Sequence, residues 1–187
     1  MKQLLSIIFF LCIGVVCANA QNEPIEFDEN GGFSKVVEVK ATAKQAFQYS
    51  RAYLSKRIKD YNKAVQVEDA EANKIQVNDQ IFFKEDALPL ESNKPDTKYF
   101  FFGNEFYKMT IDCKDNKIRI KVENPTYNYN PYLDDNKLSP YTNTQYNLIL
   151  RLISDKKHFL NMRSYRFNTI INELVKYIED QVKEEDF

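Results

Sequence analysis

The chain has 187 residues, a formal net charge of −1 at pH 7 and an aromatic content of 14%. A charge so close to zero argues against nucleic-acid binding, because that affinity comes mainly from lysine and arginine on phosphates. The four glycines form neither a G-x-G nor a G-K-[ST] motif, which excludes the usual phosphate-cradling loops.

The first twenty residues have the pattern of a secretory signal peptide. Lys2 gives a short positive start, residues 4–16 are almost unbroken apolar, and Ala18-Asn19-Ala20 resembles a cleavage site. The apolar run is shorter than the roughly 20 residues that a membrane helix needs. We therefore expect cleavage after Ala20, export to the periplasm or cell surface, and no transmembrane span in the mature chain. An uncleaved anchor is the alternative.

Cysteine and histidine are too scarce for most catalytic or metal chemistry. Cys12 and Cys17 lie in the signal, so Cys113 is the only cysteine of the mature chain and has no intrachain disulfide partner. Alternation places Cys113 on an apolar strand face, and His158 lies at the start of a predicted helix, where we expect it to be solvated. We predict no catalytic residues, no metal site and no cofactor.

A lead-in, a strand and a helix come first in the mature chain. Residues 21–32 are polar and acidic and end in two glycines, which indicates a flexible segment. Residues 33–40 are rich in β-branched side chains and predict a strand. Thr42 and Gln45 have the spacing of a capping box, and apolar residues recur at helical spacing from there to Tyr61.

Two hairpins are predicted next. Apolar and polar residues alternate in three of their arms, which is the period of a half-buried strand, and the arm at 99–114 is a long aromatic and β-branched run interrupted at Gly103. Residues 71–73 and 115–116 supply the turns, and residues 85–98 contain two prolines and predict a loop. The strands are predicted over residues 64–70, 74–84, 99–114 and 117–123.

The last third is predicted as a loop followed by a helix. Residues 125–146 contain three prolines and five tyrosines without a clear period, which indicates a long loop. Residues 148–153 are apolar and ambiguous between strand and helix. From about Lys157 onward, apolar residues recur at helical spacing and predict a helix with one apolar stripe.

This order of elements predicts one α+β domain over residues 33–187. An antiparallel sheet with both helices on one face would bury the apolar stripes of strands and helices together. The other face of the sheet would then be left to solvent or to a partner.

Three stretches of the chain carry a family resemblance: FSKVVEVKATAKQAFQYSRAYL at 33–54, VQVEDAEANKIQVND at 65–79, and YKMTIDCKDNKIRIKVENPTYN at 107–128. They resemble exported proteins of gut-type Gram-negative bacteria that are grouped as a domain of unknown function with a TBP-like fold. Asn116 stands where a hairpin glycine is commoner in that family. The resemblance implies a TBP-like fold of order β-α-β-β-β-β-α. It implies no activity, so no functional residues can be carried over.

Aromatic residues outside the predicted core give the best functional signal. Several phenylalanines fall on the strand face opposite the apolar one, unless Gly103 marks a bulge, and tyrosines follow in the predicted loop. Exposed rings beside Asn and Asp can bind a glycan or a peptide by stacking and hydrogen bonding. The alternative is that these rings pack on the sheet as a second small core. The candidate binding residues are Phe82, Phe100, Phe102, Phe106, Tyr127, Tyr129, Tyr132 and Tyr141.

These patterns favour an exported, non-enzymatic module of the bacterial cell envelope that binds a glycan, a peptide or an envelope protein. Two alternatives stay open. One is a hydrolase that acts on envelope material with carboxylate chemistry, although no carboxylate lies in an apolar context that would raise its pKa. The other is a structural envelope protein that acts through an exposed strand edge.

Overall fold

A computed structural model describes residues 23–87, 99–133, 137–138 and 142–185. The strands are β1 (Phe33–Glu38), β2 (Val65–Asp69), β3 (Lys74–Ala87), β4 (Tyr99–Lys114), β5 (Lys117–Leu133), β6 (Lys137–Leu138) and β7 (Thr142–Gln145). The helices are α1 (Ala43–Arg57), α2 (Tyr61–Ala64), α3 (Tyr146–Leu152) and α4 (Lys156–Glu185).

The strands form an antiparallel sheet with the order β1-β5-β4-β3-β2. The two long hairpins are the predicted ones, with turns that contain Asn73 and Asn116 in left-handed conformations at φ of 51° and 62°. β1 and β7 pair with different parts of the same edge of β5. The predicted α+β architecture is confirmed, with the short elements α2, α3, β6 and β7 added to it.

Local sequence fixes the start of α1. The N–H of Gln45 donates to Oγ1 of Thr42 at 3.3 Å, and the N–H of Thr42 donates to Oε1 of Gln45 at 3.0 Å. This reciprocal pair is the predicted capping box, and it satisfies two backbone donors at the helix start. The helix ends at Arg57 rather than at Tyr61, because Ile58 is already extended and α2 forms a separate turn.

Both long helices cover one face of the sheet. We call the cluster beneath them the main core. Alternate residues of β3, β4 and β5 enter it from below, and the predicted apolar stripes of α1 and α4 enter it from above. Its fully enclosed side chains include Leu54, Ile75, Ile111, Ile120, Phe167 and Ile178.

The described residues between 125 and 146 form strands and the start of a helix rather than the long loop that we predicted. β5 continues to Leu133, and its residues 126–129 pair with both β4 and β7. A bulge explains the misleading pattern: Asn124 and Pro125 of β5 both lie opposite Tyr107, and Asn124 has a φ of 50°. The extra residue shifts the alternation by one, so even-numbered side chains face the core before the bulge and odd-numbered ones after it. Gly103, by contrast, stays in register with both neighbouring strands.

Residues 23–32, which we expected to be a flexible lead-in, contact the domain at several points. Ile25 is buried, and its N–H donates to Oγ of Ser164 on α4 at 2.7 Å. Asp28 accepts hydrogen bonds at 2.8 Å from the N–H groups of Asn30 and Gly32. These bonds close a turn that brings the chain into β1.

Candidate functional site

Two of the predicted aromatic residues lie exposed on the outer face of the sheet, the face without helices. Phe82 on β3 is 60% exposed and Phe106 on β4 is 39% exposed. Phe82 pairs with Asn104, and Phe106 pairs with Gln80, so the two rings are diagonal neighbours on adjacent strands. We call Phe82, Phe106 and the flanking Gln80, Asn104 and Thr126 the outer patch.

Tyr127, another candidate binding residue, is buried rather than available to a ligand. Its ring centroid lies 5.6 Å from that of Phe83 and 6.2 Å from that of Phe159. With Tyr146 and Ile149, these residues form a second core beneath α3 and the start of α4. The binding role predicted for Tyr127 is therefore wrong, because the bulge in β5 turns its side chain inward.

The other candidate binding residues are half-buried or have side chains outside the described residues. Phe102 is half-buried on β4. Phe100, Tyr129 and Tyr132 lie in β4 and β5, and their side chains fall outside the described residues. Tyr141 also falls outside them.

A groove of about 940 Å³ runs beside the outer patch. It lies where β2 stops, since β2 pairs with β3 only through Val77, whereas β3 continues to Ala87. In the part of the chain that the structure describes, no strand pairs with β3 on this side beyond Val77. Residues from α2, β3, β4 and β5 line the groove, and the end of α1 closes it.

A partly buried ion pair forms the floor of the groove. Arg57 at the end of α1 pairs with Asp79 on β3, and the hydroxyl of Tyr107 donates to Oδ2 of Asp79 at 2.8 Å. Burial raises the pKa of Tyr107 well above its usual value, and the nearby charge of Asp79 raises it further. The carboxylate of Asp79 is thus occupied by two donors, which fastens α1 to the sheet.

Positive charge prevails along the rim of the groove. Lys59 and Lys63 line it together with Asp60, and Lys63 pairs with Asp60 at 2.6 Å while both side chains remain largely exposed. Lys108 also lines it and lies 3.3 Å from Glu123. The rim and floor together carry two more positive than negative side chains, in a protein whose net charge is −1.

The outer face away from the groove has the mixed charges that its sequence predicts. Arg119 and Asp112 pair across β4 and β5 at 2.8 Å. Lys121 lies 2.7 Å from Glu123, and its hydrogen bond lowers the pKa of that carboxyl. Such alternating charges compensate one another locally, so this face presents no broad field of one sign.

A second ion pair, Glu105 with Arg163, has no signal in the sequence. Both side chains are fully buried between the main core and the second core. Nε of Arg163 donates to both carboxylate oxygens at 2.8 and 3.0 Å, and the guanidinium lies 4.0 Å from the ring centroid of Phe27. The expectation that no carboxylate lies in an apolar setting is wrong for Glu105, which shares the inward phase of Tyr107 and Met109 on β4.

The remaining candidates for chemistry do not converge. Cys113 is buried on β4, and burial raises the pKa of its thiol to about 11. His158 lies in the first turn of α4, where its backbone N–H donates to Oδ1 of Asp155 at 2.8 Å. Within the described ranges, no three His, Cys, Asp or Glu residues gather as a metal site would require. The same ranges contain no helix that is long and apolar enough to cross a membrane.

Sheet order, helix placement and connectivity define an α+β protein with a TBP-like fold. A solved TBP-like protein from Parabacteroides distasonis matches with a TM-score of 0.54 over 83% of this chain and 97% of that chain, at 19% identity. A second solved structure, a DUF4468 family protein from Bacteroides ovatus, matches with a TM-score of 0.43 over 68% of each chain, at 13% identity.

The chain belongs to the family described as a domain of unknown function (DUF4468) with TBP-like fold, whose model matches residues 33–128. No curated protein matches the chain. The predicted fold class and the family resemblance are both confirmed. The bulge of β5 and all of the described residues that line the groove fall inside the matched residues.

Proposed function

We propose that the protein is a non-enzymatic binding module of the cell envelope that recognises an extended peptide at the groove and the outer patch. The observation that carries this proposal is the pair of exposed rings, Phe82 and Phe106, beside a groove of about 940 Å³. The location in the envelope rests on the signal-peptide pattern of residues 1–20.

The outer patch combines two properties that peptide recognition uses. Exposed phenyl rings offer apolar area that a partner's side chains can cover. Gln80, Asn104 and Thr126 lie on the same face, so amide and hydroxyl groups surround the rings. Rings provide affinity and the polar groups provide orientation, which is how small binding sites usually divide these tasks.

The carboxylates near the groove favour binding over hydrolysis. Asp79 is occupied by Arg57 and Tyr107, and Glu105 is enclosed with Arg163. A glycosidase-type mechanism needs two accessible carboxyl groups on opposite sides of the scissile bond. Asp60 is the one exposed carboxylate among the described residues that line the groove, so the second accessible carboxyl group is missing there.

A binding screen tests the proposal directly. The purified protein is offered to a displayed library of random peptides and to a glycan array. We expect peptides to be retained, and we expect Phe82→Ala and Phe106→Ala each to weaken their binding about tenfold or more, as loss of a central aromatic anchor does.

Val36→Ala is the matched control, because Val36 is an exposed apolar residue on β1, at the opposite edge of the sheet. All three substitutions should change the free energy of unfolding by less than about 0.5 kcal/mol, as surface changes usually do. Retention of glycans instead of peptides, or peptide binding that survives both phenylalanine substitutions, would overturn the proposal.

A further inference from the structure

We infer that the bound peptide adds to the sheet as a further strand along the open edge of β3, and that acidic side chains in the peptide are preferred. This inference rests on the proposed function and specifies the geometry and the chemical class of the partner. Strand addition is a recurrent mode of peptide recognition in which main-chain hydrogen bonds supply the affinity.

The hydrogen-bonding phase of β4 follows from its turn with β5. Lys114 and Lys117 flank a two-residue turn, so they form the first hydrogen-bonded pair of this hairpin. Even-numbered residues of β4 therefore direct their backbone groups toward β5, and odd-numbered ones toward β3. The N–H of Cys113, which donates to the carbonyl of Asn73 at 2.9 Å, agrees with this phase.

The same alternation identifies the backbone groups at the open edge of β3. Asp79 and Ile81 lie opposite odd-numbered residues of β4 and direct their backbone groups toward that strand. Asn78, Gln80 and Phe82 must then direct theirs the other way, toward the side where β2 has ended. The open stretch spans five residues, about the length of an average strand in globular proteins.

The edge of the sheet formed by β2 is protected in ways that this stretch is not. The outermost strand, β2, has five residues and carries Glu68 and Asp69. Short strands and charged side chains are the usual devices against unwanted pairing. Asn78, Gln80 and Phe82 carry no charge and Asp79 is paired with Arg57, so no unpaired charge protects this stretch of the open edge of β3.

Charge complementarity defines the partner. Lys59 lines the groove and forms no ion pair with a described residue, while Lys63 is held only by the exposed Asp60. Exposed pairs of that kind contribute little and exchange readily. Glutamate or aspartate side chains on an added strand would meet these ammonium groups at the groove rim, with an attraction that weakens as salt increases.

Three blocked heptapeptides with one alternating pattern test the inference: Val-Glu-Val-Glu-Val-Glu-Val and its lysine and glutamine versions. We expect the glutamate peptide to bind at least about tenfold more tightly than the lysine peptide, with glutamine between them. Lys59→Gln should reduce the preference for glutamate over glutamine. Lys44→Gln, at the other end of α1, should not change it.

Backbone N-methylation tests the strand geometry. Methylation of alternate amides in one phase should abolish binding, whereas methylation in the other phase should change it less than about threefold, since only one phase faces β3. Gln80→Pro removes an edge N–H without removing a bond to β4 and should also abolish binding, while Gln80→Ala should not. If Gln80→Pro fails to fold, the N-methylated peptides still test strand addition, because they leave the protein unchanged.

These experiments distinguish a failure of strand addition from a failure of the proposed function. Equal sensitivity to both methylation phases, equal binding of the three heptapeptides, or no binding of any of them overturns strand addition to β3. In each case the proposed function stands if library peptides still depend on Phe82. Loss of that dependence as well overturns both.

Discussion

The two cores of this protein are built from different materials. The main core follows the simple rule of alternating apolar strand residues beneath amphipathic helices. The second core consists mainly of aromatic rings, and the buried pair of Glu105 and Arg163 lies between it and the main core. One helix, α4, serves both, with Phe159 in the second core and Phe167 in the main core.

The two compositions differ in how easily a single substitution lowers the free energy of unfolding. An apolar core loses stability in proportion to the area and volume removed. A buried ion pair contributes little net stability, because the attraction between its charges only offsets the cost of removing both from water. We therefore expect the region between the cores to be the more sensitive to single changes.

The largest expected effect is at Arg163. Arg163→Met leaves the carboxylate of Glu105 buried without its partner, which should lower the free energy of unfolding by about 3–5 kcal/mol. Urea denaturation followed by circular dichroism measures this change. The double variant Glu105→Gln, Arg163→Met should recover much of the loss, because it removes the unpaired charge. A loss of less than about 1 kcal/mol in the single variant would show that water or another group compensates Glu105.

A smaller effect is expected when one isoleucine in each core is truncated to alanine. Ile149 on α3 and Ile171 on α4 are both buried, and each change to alanine should cost about 2–5 kcal/mol. Ile149→Ala should lie at the low end, since α3 has seven residues and can shift to fill the space. Urea titrations should give a single transition with the same slope for both variants, because α4 joins the cores. A reduced slope for Ile149→Ala would mean that the second core unfolds separately.

The smallest effect concerns alkaline pH and the main core. Burial raises the pKa of the Cys113 thiol to about 11, whereas the pKa of a thiol in an unfolded chain is about 8.5. The folded state keeps this proton more tightly, so its stabilising contribution is complete below the unfolded pKa and declines as pH rises toward 11. Between pH 8 and pH 10, the wild type should lose about 2 kcal/mol more stability than Cys113→Ala. Parallel urea titrations at these pH values measure the difference, and identical losses would contradict it.

The elements around the main core could be predicted, because the apolar pattern of the sequence and the burial of the side chains agree there. Thr42 and Gln45 signal the start of α1, and Ile118 and Ile120 alternate with charged residues along β5. Beyond Asn124 that agreement ends. The bulge changes the phase of alternation, and Pro125 at the bulge resembles a loop signal, so the pairing of residues 126–129 with two strands was hidden.

The candidate site could be predicted only in part. The exposure of Phe82 and Phe106 followed from strand phase. The groove did not, because it depends on β2 ending at the register of Val77 while β3 continues, which is a relation between two strand lengths. The pairing of Glu105 with Arg163 joins positions 58 residues apart, and no spacing in the sequence indicates it.

The place of β1 in the sheet has a consequence for how the chain folds. Phe33 lies opposite Val122, so the first strand cannot pair until the fifth has formed. The hairpins β2–β3 and β4–β5 need only short turns and can form early, whereas closing the long loop between β1 and β5 is entropically slow. Amide protection during refolding should therefore appear in the hairpins before it appears in β1.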